Sequence, residues 1–356
     1  MSKTRPGHFF EDFWVGQSLV HGTPRTLSEG DRSLYIAFTG ARHPLHCAAP
    51  LAAACGYPAT PLHDFLVFNI GFGKTVPDIS LNAVANLGYA DLRFLRPVYP
   101  GDTLTADSTV IGLKQNSSGK NGVVYVRSTV RDQHGQDVLT WIRWVMVNKR
   151  NLAAPAPEPL IPELPESVPA ERLAIPAFLR PGKLDPAATA GRDYWEDYRP
   201  GERIDNASGM TLDESDHTLA TKLYQNPARL HFNAQAAGGK RLVYGGHVIA
   251  VCHALNYEGL ENVLNVAAIN AGAHCNPSYA GDTLYASTEV LEQWPLPGRN
   301  DLGALRLRLV GTKNIPAAEI RDRFAEQNGK PTYHPNVVLD LDYTVLMPRR
   351  TAMENR

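Results

Sequence analysis

The chain has 356 residues, of which 43% are hydrophobic. This is enough for two cores, since a single core rarely grows beyond about 250–300 residues. Its 35 Lys and Arg residues face 36 Asp and Glu residues, which leaves a formal net charge of -1 with no block of like charge. The charge patterns typical of proteins that bind nucleic acids or membrane surfaces are missing from this sequence. We therefore expect a small-molecule partner.

The N-terminal segment and the cysteines predict a cytoplasmic protein. Residues 1–14, MSKTRPGHFFEDFW, are charged and contain no apolar stretch of the kind found in a secretory leader. No later run approaches the roughly 18 apolar residues of a membrane span. The four cysteines lack CxxC spacing, which predicts neither a metal site nor a disulfide framework. We expect buried thiols at all four positions: Cys47, Cys55, Cys252 and Cys275.

The first half of the chain shows two helix patterns followed by strand patterns. In TLSEGD, Ser28 stands three residues before Asp31, close to the pattern that caps the start of a helix. DFLVFNIGFG (64–73) is largely apolar and predicts a buried helix. Stretches rich in Val, Ile, Thr and Trp, separated by turn sequences, predict three strands: ADSTVIGLKQ (106–115), GVVYVRSTVRD (122–132) and DVLTWIRWVMVNKR (137–150).

A proline-rich segment divides the chain nearly in half. Residues 151–187 hold nine of the 27 prolines and have no sustained helical or strand period. Such a composition is typical of an extended connector between domains. We therefore expect a domain at residues 1–150, a linker at 151–187 and a second domain at 188–356.

The two halves are repeats of each other. FFEDFWVGQSL from Phe9 matches YWEDYRPGERI from Tyr194, and TLSEGD from Thr26 matches TLDESD from Thr211, both at an offset of 185. At the same offset His46 falls on His231, and Ala41 falls on Asn226. The VYPGDTL and SYAGDTL turns match at an offset of 180. The simplest account is a duplicated domain.

The second half repeats the order of elements seen in the first. GGHVIAVCHALNYEG (245–259) predicts an apolar helix that begins at two glycines. Three strand patterns follow it: YASTEVLEQ (285–293), ALRLRLVGTK (304–313) and VVLDLDYTVLMPR (337–349). One mostly antiparallel sheet wrapped around one apolar helix in each copy is an α+β architecture.

These motifs resemble a known enzyme family. The order of short helix, histidine segment, glycine-opened helix, PGDTL turn and strands is similar to MaoC-like, (R)-specific enoyl-CoA hydratases. Four longer stretches resemble the mesaconyl-CoA hydratases, also called β-methylmalyl-CoA dehydratases: FGKTVPDISLNAVANLGYA (72–90), NPARLHFN (226–233), RLVYGGHVIA (241–250) and VVLDLDYTVLMPR (337–349). The resemblance implies a double hot-dog fold, that is, two tandem hot-dog domains. It also implies a hydro-lyase that uses no metal or organic cofactor and reversibly hydrates a branched dicarboxylic enoyl-CoA.

The histidine segments depart from the usual MaoC-like site. That site reads Asp-x-Asn-Pro-x-His, with Asp and His sharing the activation of water. Here the Asp position holds Ala41 in the first copy and Asn226 in the second, although both copies keep the histidine: His46 and His231. His231 has a suitable unperturbed pKa for a base, whereas Asn226 can orient water or a carbonyl but exchanges no proton.

The glycine pair indicates which half carries the chemistry. Gly245 and Gly246 open the second helix and leave free N–H groups for a thioester oxygen, whereas the corresponding PLHDFLVF of the first half has no such pair. We therefore expect His231, Asn226 and Gly246 to be catalytic, with Gly245 in substrate binding. The first half is expected to bind the acyl chain or CoA. Each of the three catalytic candidates also has a purely structural alternative: a satisfied buried histidine for His231, an Asn-Pro turn for Asn226 and close helix packing for Gly246.

Several charged residues are candidates for the remaining tasks. Either His231 acts alone, or an additional proton donor is expected at Asp64, at Asp78, which also fits a plain turn, or at His247, which also fits a helix start. Arg229 and Arg42 are candidates to bind the free carboxylate of a dicarboxylic substrate. Lys74 and Arg93 are candidates for CoA phosphates. Surface solvation is the alternative for these four cations.

Two other functions stay open at this stage. RLVYGGHVIA also resembles the helix opening of double hot-dog acyl-CoA thioesterases, which would direct water to the carbonyl carbon. The missing Asp in both copies also fits a non-catalytic acyl-CoA binding protein. The sequence leaves the exact acyl group and the stereochemistry open, because one methylene changes binding by only about 1–3 kcal/mol. We expect a homo-oligomer formed through exposed sheet edges.

Overall fold

The computed structural model describes residues 3–327 and 329–354. Within its described residues, 3–150, the first half contains five strands and four α-helices. In chain order they are β1 (Ser18–Thr26), α1 (Glu29–Thr39), α2 (Pro44–Cys47), α3 (Ala49–Ala54), α4 (Asp64–Thr75), β2 (Ala83–Phe94), β3 (Thr103–Gln115), β4 (Asn121–Arg131) and β5 (Asp137–Asn148). A π-helical turn, Val76–Ser80, continues α4.

A short helix, α5 (Pro186–Thr189), precedes the second half. The second half then repeats the order of the first with some additions: β6 (Arg203–Asp205), β7 (Met210–Thr211), α6 (Glu214–Leu223), α7 (Arg229–Phe232), α8 (Gly245–Leu255), β8 (Asn265–His274), β9 (Thr283–Leu296), β10 (Arg299–Lys313), β11 (Phe324–Gln327), β12 (Lys330–Tyr333), β13 (Val337–Pro348) and α9 (Arg350–Glu354). Short 3₁₀ turns lie at Phe10–Asp12, Ala170–Arg172, Pro181–Lys183, Trp195–Asp197 and Ala317–Glu319.

One antiparallel sheet runs through both halves. Its strands lie in the order β1-β3-β4-β5-β2-β8-β13-β10-β9-β6, and β7 also pairs with β9. Strands β2 and β8 join the halves, with Leu92 opposite Ile269. The sheet wraps around the two central helices, α4 and α8. This is the expected α+β double hot-dog fold, and the six predicted strands coincide with β3, β4, β5, β9, β10 and β13, running at most two residues past their ends.

Local sequence explains how the helices begin. Ser28 accepts a hydrogen bond from the Asp31 N–H (3.3 Å), and the Asp31 carboxylate accepts one from the Ser28 N–H (2.7 Å), so the predicted cap of α1 is confirmed. In the second half Asp213 caps α6 by accepting from the Ser215 N–H (2.8 Å). Both caps provide an acceptor for N–H groups that have no hydrogen-bond partner within the helix.

The strands that join the halves carry no clear signal in the sequence. In β2 the residues from Gly88 to Leu92 are buried on both faces, and so are the residues from Val266 to Asn270 of β8. A strand covered on both sides loses the alternation of polar and apolar residues by which a half-exposed strand is recognised. For this reason the pattern that predicted β3, β4 and β5 gave no prediction for β2 or β8.

The proline-rich segment is irregular, as expected, but it packs against the body of the protein. Leu160 bridges to Leu113, and the Val168 N–H donates to Asn270 Oδ1 (2.9 Å). Val168 and Leu184 are fully buried in a cluster on the second half of the sheet. The segment is therefore a strap over the sheet, since its apolar side chains are removed from water.

The structure bears on the predictions about membrane spans and about the cysteines. No helix in residues 3–327 and 329–354 is both long and apolar enough to span a bilayer. All four cysteines are free thiols, but the expectation that all are buried is wrong. Cys55 and Cys252 are buried, Cys275 is half-buried and Cys47 is exposed. Cys47 ends the four-residue helix α2, where a short turn leaves it on the surface.

The central helices α4 and α8 come into close contact with the opposite half. All residues from Phe65 to Thr75 are buried, as expected for a helix covered on every side. A methyl group added at Gly73 would lie 1.9 Å from the Tyr224 carbonyl oxygen, which belongs to the second half. Glycine at this position therefore permits the approach of the two backbones.

We expect Gly73→Ala to destabilise the protein by about 1–3 kcal/mol, because the added methyl group overpacks the contact with Tyr224. Urea or thermal unfolding would measure the change. Gly30→Ala is the matched control, since Gly30 is exposed in α1 and a methyl group there makes only ordinary contact. Alanine favours a helix by about 1 kcal/mol over glycine, so this control should be neutral or stabilising. Equal stability of the two variants would contradict the close-contact interpretation.

Candidate active site

A cavity of about 310 Å³ lies between the two halves. The second half contributes the loop around α7, the start of α8 and the end of β8. The first half contributes the end of α4, strand β2 and one residue of β5. The volume is at the lower limit of ordinary small-molecule pockets, about 300–1,000 Å³. Its polar or titratable lining residues are Ser80, Asn86, Tyr89, Arg143, Asn226, His231, Tyr244, His274, Cys275, Asn276 and Ser278.

His231 lies at this cavity in a fixed orientation. Its Nδ1 is 2.8 Å from the Leu242 carbonyl oxygen, and the Leu242 N–H donates to the Leu230 carbonyl oxygen (3.0 Å). A carbonyl oxygen only accepts, so Nδ1 carries the proton and Nε2 has the lone pair. The ring is half-buried, and burial lowers its pKa below the ordinary 6.5, against the opposing effect of the Leu242 hydrogen bond. His231 is therefore a neutral base at pH 7.

Asn226 lines the same cavity and also forms a turn. Its Oδ1 accepts a hydrogen bond from the Ala228 N–H (3.0 Å), an arrangement typical of an Asn-Pro turn. The side chain is buried, and within residues 3–327 and 329–354 its Nδ2 has no hydrogen-bond partner. Asn226 therefore combines a turn role with one donor group that is free for a ligand.

The glycine pair lies at the first turn of α8. The first intrahelical bonds of this turn, from the N–H groups of His247 and Val248, go to the Tyr244 carbonyl oxygen. Among the described residues, the N–H groups of Gly245 and Gly246 have no acceptor. Gly245 lines the cavity, so the positive end of the helix dipole lies at its wall.

Both glycines are required by close neighbours. A methyl group at Gly245 would lie 2.4 Å from the ring of His274, and one at Gly246 would lie 1.9 Å from Asn69 Oδ1. Asn69, on α4, donates to the Gly246 carbonyl oxygen (3.2 Å) and accepts from the Tyr244 hydroxyl (3.1 Å). The start of α8 is thereby held by the opposite half.

The structure adds cavity residues that the sequence analysis did not identify. The Tyr89 hydroxyl lies 3.0 Å from His274 Nε2, and burial lowers the pKa of His274 to about 4. Tyr244 packs against His231, with ring centroids 5.5 Å apart. Arg143 belongs to β5. Its neighbours on the same strand face are all apolar and fully buried: Leu139, Trp141, Val145 and Val147. An arginine at a position where the alternation calls for an apolar residue is the sequence feature by which Arg143 could have been identified.

Three predicted site residues lie outside the cavity. His247 is fully buried next to Phe38, and burial lowers its pKa to about 3. The Asp78 carboxylate accepts from His21 Nδ1 (2.8 Å), and this hydrogen bond lowers the pKa of Asp78. Lys74 is buried and donates to the Thr23 carbonyl oxygen, and burial lowers its pKa to about 8.

The other charged candidates are also placed elsewhere. Arg42 pairs with Glu258 (2.9 Å) on the surface, and Arg229 is exposed at the start of α7. Asp64 accepts from the Val266 N–H (2.9 Å), and burial raises its pKa to about 7. Arg93 lies 3.4 Å from Asp91. The structure therefore brings His231, Asn226 and Gly245 to one cavity, but none of these four ionisable groups.

The equivalent place in the first half is filled by histidines. His46 and His63 pack with ring centroids 4.7 Å apart, and His253 from α8 lies 5.2 Å from His63. His63 Nδ1 accepts a hydrogen bond from the Phe65 N–H (3.2 Å). This N–H at the start of α4 is therefore already paired. The cavity beside these rings measures only about 30 Å³, close to the size of one water molecule.

Comparison with known proteins identifies the family. The β-methylmalyl-CoA dehydratase of Chloroflexus aurantiacus is 53% identical over 98% of this chain and 99% of its own. The mesaconyl-CoA hydratase of Cereibacter sphaeroides is 50% identical over 98% of this chain and 100% of its own. The family model for mesaconyl-CoA hydratase matches residues 2–157. This chain belongs to the mesaconyl-CoA hydratase family.

A solved structure agrees with this family. A MaoC-domain dehydratase from Chloroflexus aurantiacus superposes with a TM-score of 0.94 and 51% identity, over 98% of this chain and 100% of that one. The family model ends near the start of the proline-rich strap and so covers only the first half. The full-length relatives therefore carry the family assignment into the second half, where His231 lies.

We expect the pH profile of kcat/KM to show its acid limb below pH 6.5, because burial lowers the pKa of His231 from that value. The base is lost only when the ring is protonated, so activity should be independent of pH on the alkaline side of this limb. An acid limb centred above pH 6.5 would contradict a buried, neutral His231.

Acid unfolding has to be measured alongside this profile. Burial lowers the pKa of His43 to about 4 and of His46 to about 3, so the unfolded chain binds more protons than the folded one below pH 6.5. Stability is therefore lost as the pH falls through this range. Circular dichroism at each pH would separate this loss from protonation of His231.

Proposed function

We propose that this protein catalyses the reversible addition of water to the double bond of mesaconyl-CoA, which forms β-methylmalyl-CoA. One observation carries the proposal: His231, with its free Nε2, and Gly245, whose unpaired N–H lies at the start of α8, line one cavity. Family membership supports the choice of substrate, because the relatives are named for the two directions of this reaction.

The proposed mechanism uses His231 as the base. Its Nε2 removes a proton from water while the oxygen of that water adds to the β-carbon of the enoyl thioester. Negative charge then develops on the thioester carbonyl oxygen, and the N–H groups of Gly245 and Gly246 stabilise it together with the helix dipole. The imidazolium returns its proton to the α-carbon, which completes hydration and restores neutral His231.

This cycle needs no second acid. His231 removes one proton from water and delivers one proton to the α-carbon. A single histidine therefore balances the proton transfers of the reaction. Asn226 contributes its free Nδ2 donor, which we assign to orienting the attacking water or the substrate carbonyl. Within the cavity lining, no aspartate or glutamate of the described residues is present to share the proton.

The two halves have different roles in this proposal. The second half supplies the base and the helix start, and the first half supplies the wall formed by β2, the end of α4 and Arg143. A CoA thioester is the proposed substrate. We also propose that the protein acts in the cytoplasm as a homo-oligomer that assembles through sheet edges, since the edge strand β1 leaves Val20 84% exposed.

We expect His231→Ala to lower kcat in both directions by about 10²- to 10⁴-fold, the usual range for loss of a general base. Mesaconyl-CoA and β-methylmalyl-CoA would be supplied separately, while enoyl-thioester absorbance and free thiol are followed together. His46→Gln is the matched control, because His46 is the repeat equivalent of His231 but is buried away from the cavity. It should retain activity.

The two recorded signals separate the proposal from its rivals. Absorbance changes of opposite sign for the two substrates, without thiol release, would support the hydratase. Release of free thiol would identify a thioesterase. No change in either signal, together with binding of both esters, would identify a binding protein and would end the proposal.

A further inference from the structure

Arg143 is a buried cation at the wall of the catalytic cavity. It belongs to β5, is fully removed from solvent and lines the cavity together with Phe72 and Ser80. Its Nη2 donates to Thr75 Oγ1 (2.8 Å) and lies 3.4 Å from Ser80 Oγ. Its Nε and Nη1 have no hydrogen-bond partner among the described residues.

The guanidinium also lacks a counter-charge. Among residues 3–327 and 329–354, no carboxylate lies within ion-pair distance of Arg143. The guanidinium also lies over the ring of Phe72, with Cζ 4.2 Å from the ring centroid. Burial lowers the pKa of Arg143 to about 10, so the side chain is still charged at neutral pH.

A second buried arginine of the sheet, Arg306, shows how such a charge is normally satisfied. Arg306 is 7% exposed and binds Asp342 through Nε and Nη2 (3.0 and 2.7 Å), with Glu292 on its Nη1 (2.6 Å). A buried charge without a partner is costly, by several kcal/mol in real proteins. The contrast with Arg306 indicates that Arg143 takes its anion from outside the chain.

The repeat shows that this arginine is specific to the catalytic cavity. Arg143 lies opposite Tyr89, and Tyr343 lies opposite Ile269. Tyr89 and Ile269 are equivalent at the offset of 180 defined by the GDTL turns. Tyr343 therefore occupies the position of Arg143 in the other half, where its hydroxyl accepts from Asn256 Nδ2 (2.8 Å) beside the cavity of about 30 Å³.

We propose that Arg143 binds the free carboxylate of the acyl group and so selects enoyl-CoA esters that carry a carboxylate on the β-carbon. This inference rests on the proposed function, because it assumes that the acyl group enters the cavity of His231. The unpartnered Nε and Nη1 supply donors for carboxylate oxygens, and an arginine suits this anion by charge and shape. The start of α8 receives the thioester oxygen at the other end of the acyl group.

Tigloyl-CoA is the matched test substrate. It has the carbon skeleton and double-bond geometry of mesaconyl-CoA, with a methyl group in place of the carboxylate. We expect the wild-type protein to prefer mesaconyl-CoA in kcat/KM. Arg143→Met should lower kcat/KM for mesaconyl-CoA by about 10- to 100-fold, the range for losing a charged hydrogen bond, and leave tigloyl-CoA within about threefold. Arg143→Lys keeps the charge and should retain part of the preference.

Equilibrium binding gives a second measurement that is independent of turnover. In a His231→Ala background, the Kd values of mesaconyl-CoA and tigloyl-CoA would be compared with and without Arg143→Met. The preference for mesaconyl-CoA should disappear with the arginine. If the wild type hydrates neither ester, the proposed function fails, but this ratio of Kd values still decides the role of Arg143.

Two results would overturn the inference. One is a wild-type protein that does not distinguish the two esters in binding. The other is an Arg143→Met protein that weakens both esters equally, which would make Arg143 a structural residue only. Circular dichroism checks that each variant is folded. If Arg143→Met does not fold, Arg143→Lys decides, because an unchanged ratio in that variant would count against recognition by the guanidinium.

Discussion

The contact between the two central helices is the constraint on which the site depends. Asn69, on α4, donates to the Gly246 carbonyl oxygen and accepts from the Tyr244 hydroxyl, so the first half holds the first turn of α8. The amide oxygen comes so near that Gly246 can carry no side chain. Because helix dipoles act mainly through the terminal turn, a fixed first turn places the N–H groups and the positive end of the dipole with one orientation.

The two ends of this helix pair differ in the space that their side chains leave. At one end of the helix pair, Gly245 and the end of α4 leave about 310 Å³. At the other end, His63 precedes the first residue of α4 and His253 lies in the last turn of α8, and their rings fill the space down to about 30 Å³. Burial lowers the pKa of both histidines, which are therefore neutral and can pack as aromatic side chains. Duplication thus allows one copy to keep a cavity while the other becomes core.

Sequence patterns predicted the elements that contain local information. Capping residues, apolar helices and alternating strands are read within about ten residues, and the repeat placed His231, Asn226 and the glycines in one group. No sequence pattern predicted Tyr89 or His274, because they come together only through the pairing of β2 with β8, which joins the two halves. Arg42 and Arg229 were chosen for nearness in sequence to the histidines. Arg143 is distant in sequence, and it could have been recognised only by its place among the apolar residues of one strand face.

Arg143 and the N–H groups at the start of α8 bind negative charge at different stages of the proposed reaction. The acyl carboxylate is an anion before, during and after the reaction, so an arginine that binds it stabilises ground state and transition state alike and acts mainly on KM. Charge on the thioester oxygen appears only as water adds, so the N–H groups of Gly245 and Gly246 act mainly on kcat. His231 is neutral in the free protein because it is buried, and it becomes cationic only when the oxyanion forms. The base and the oxyanion therefore gain and lose their charges together, and Arg143 remains charged throughout.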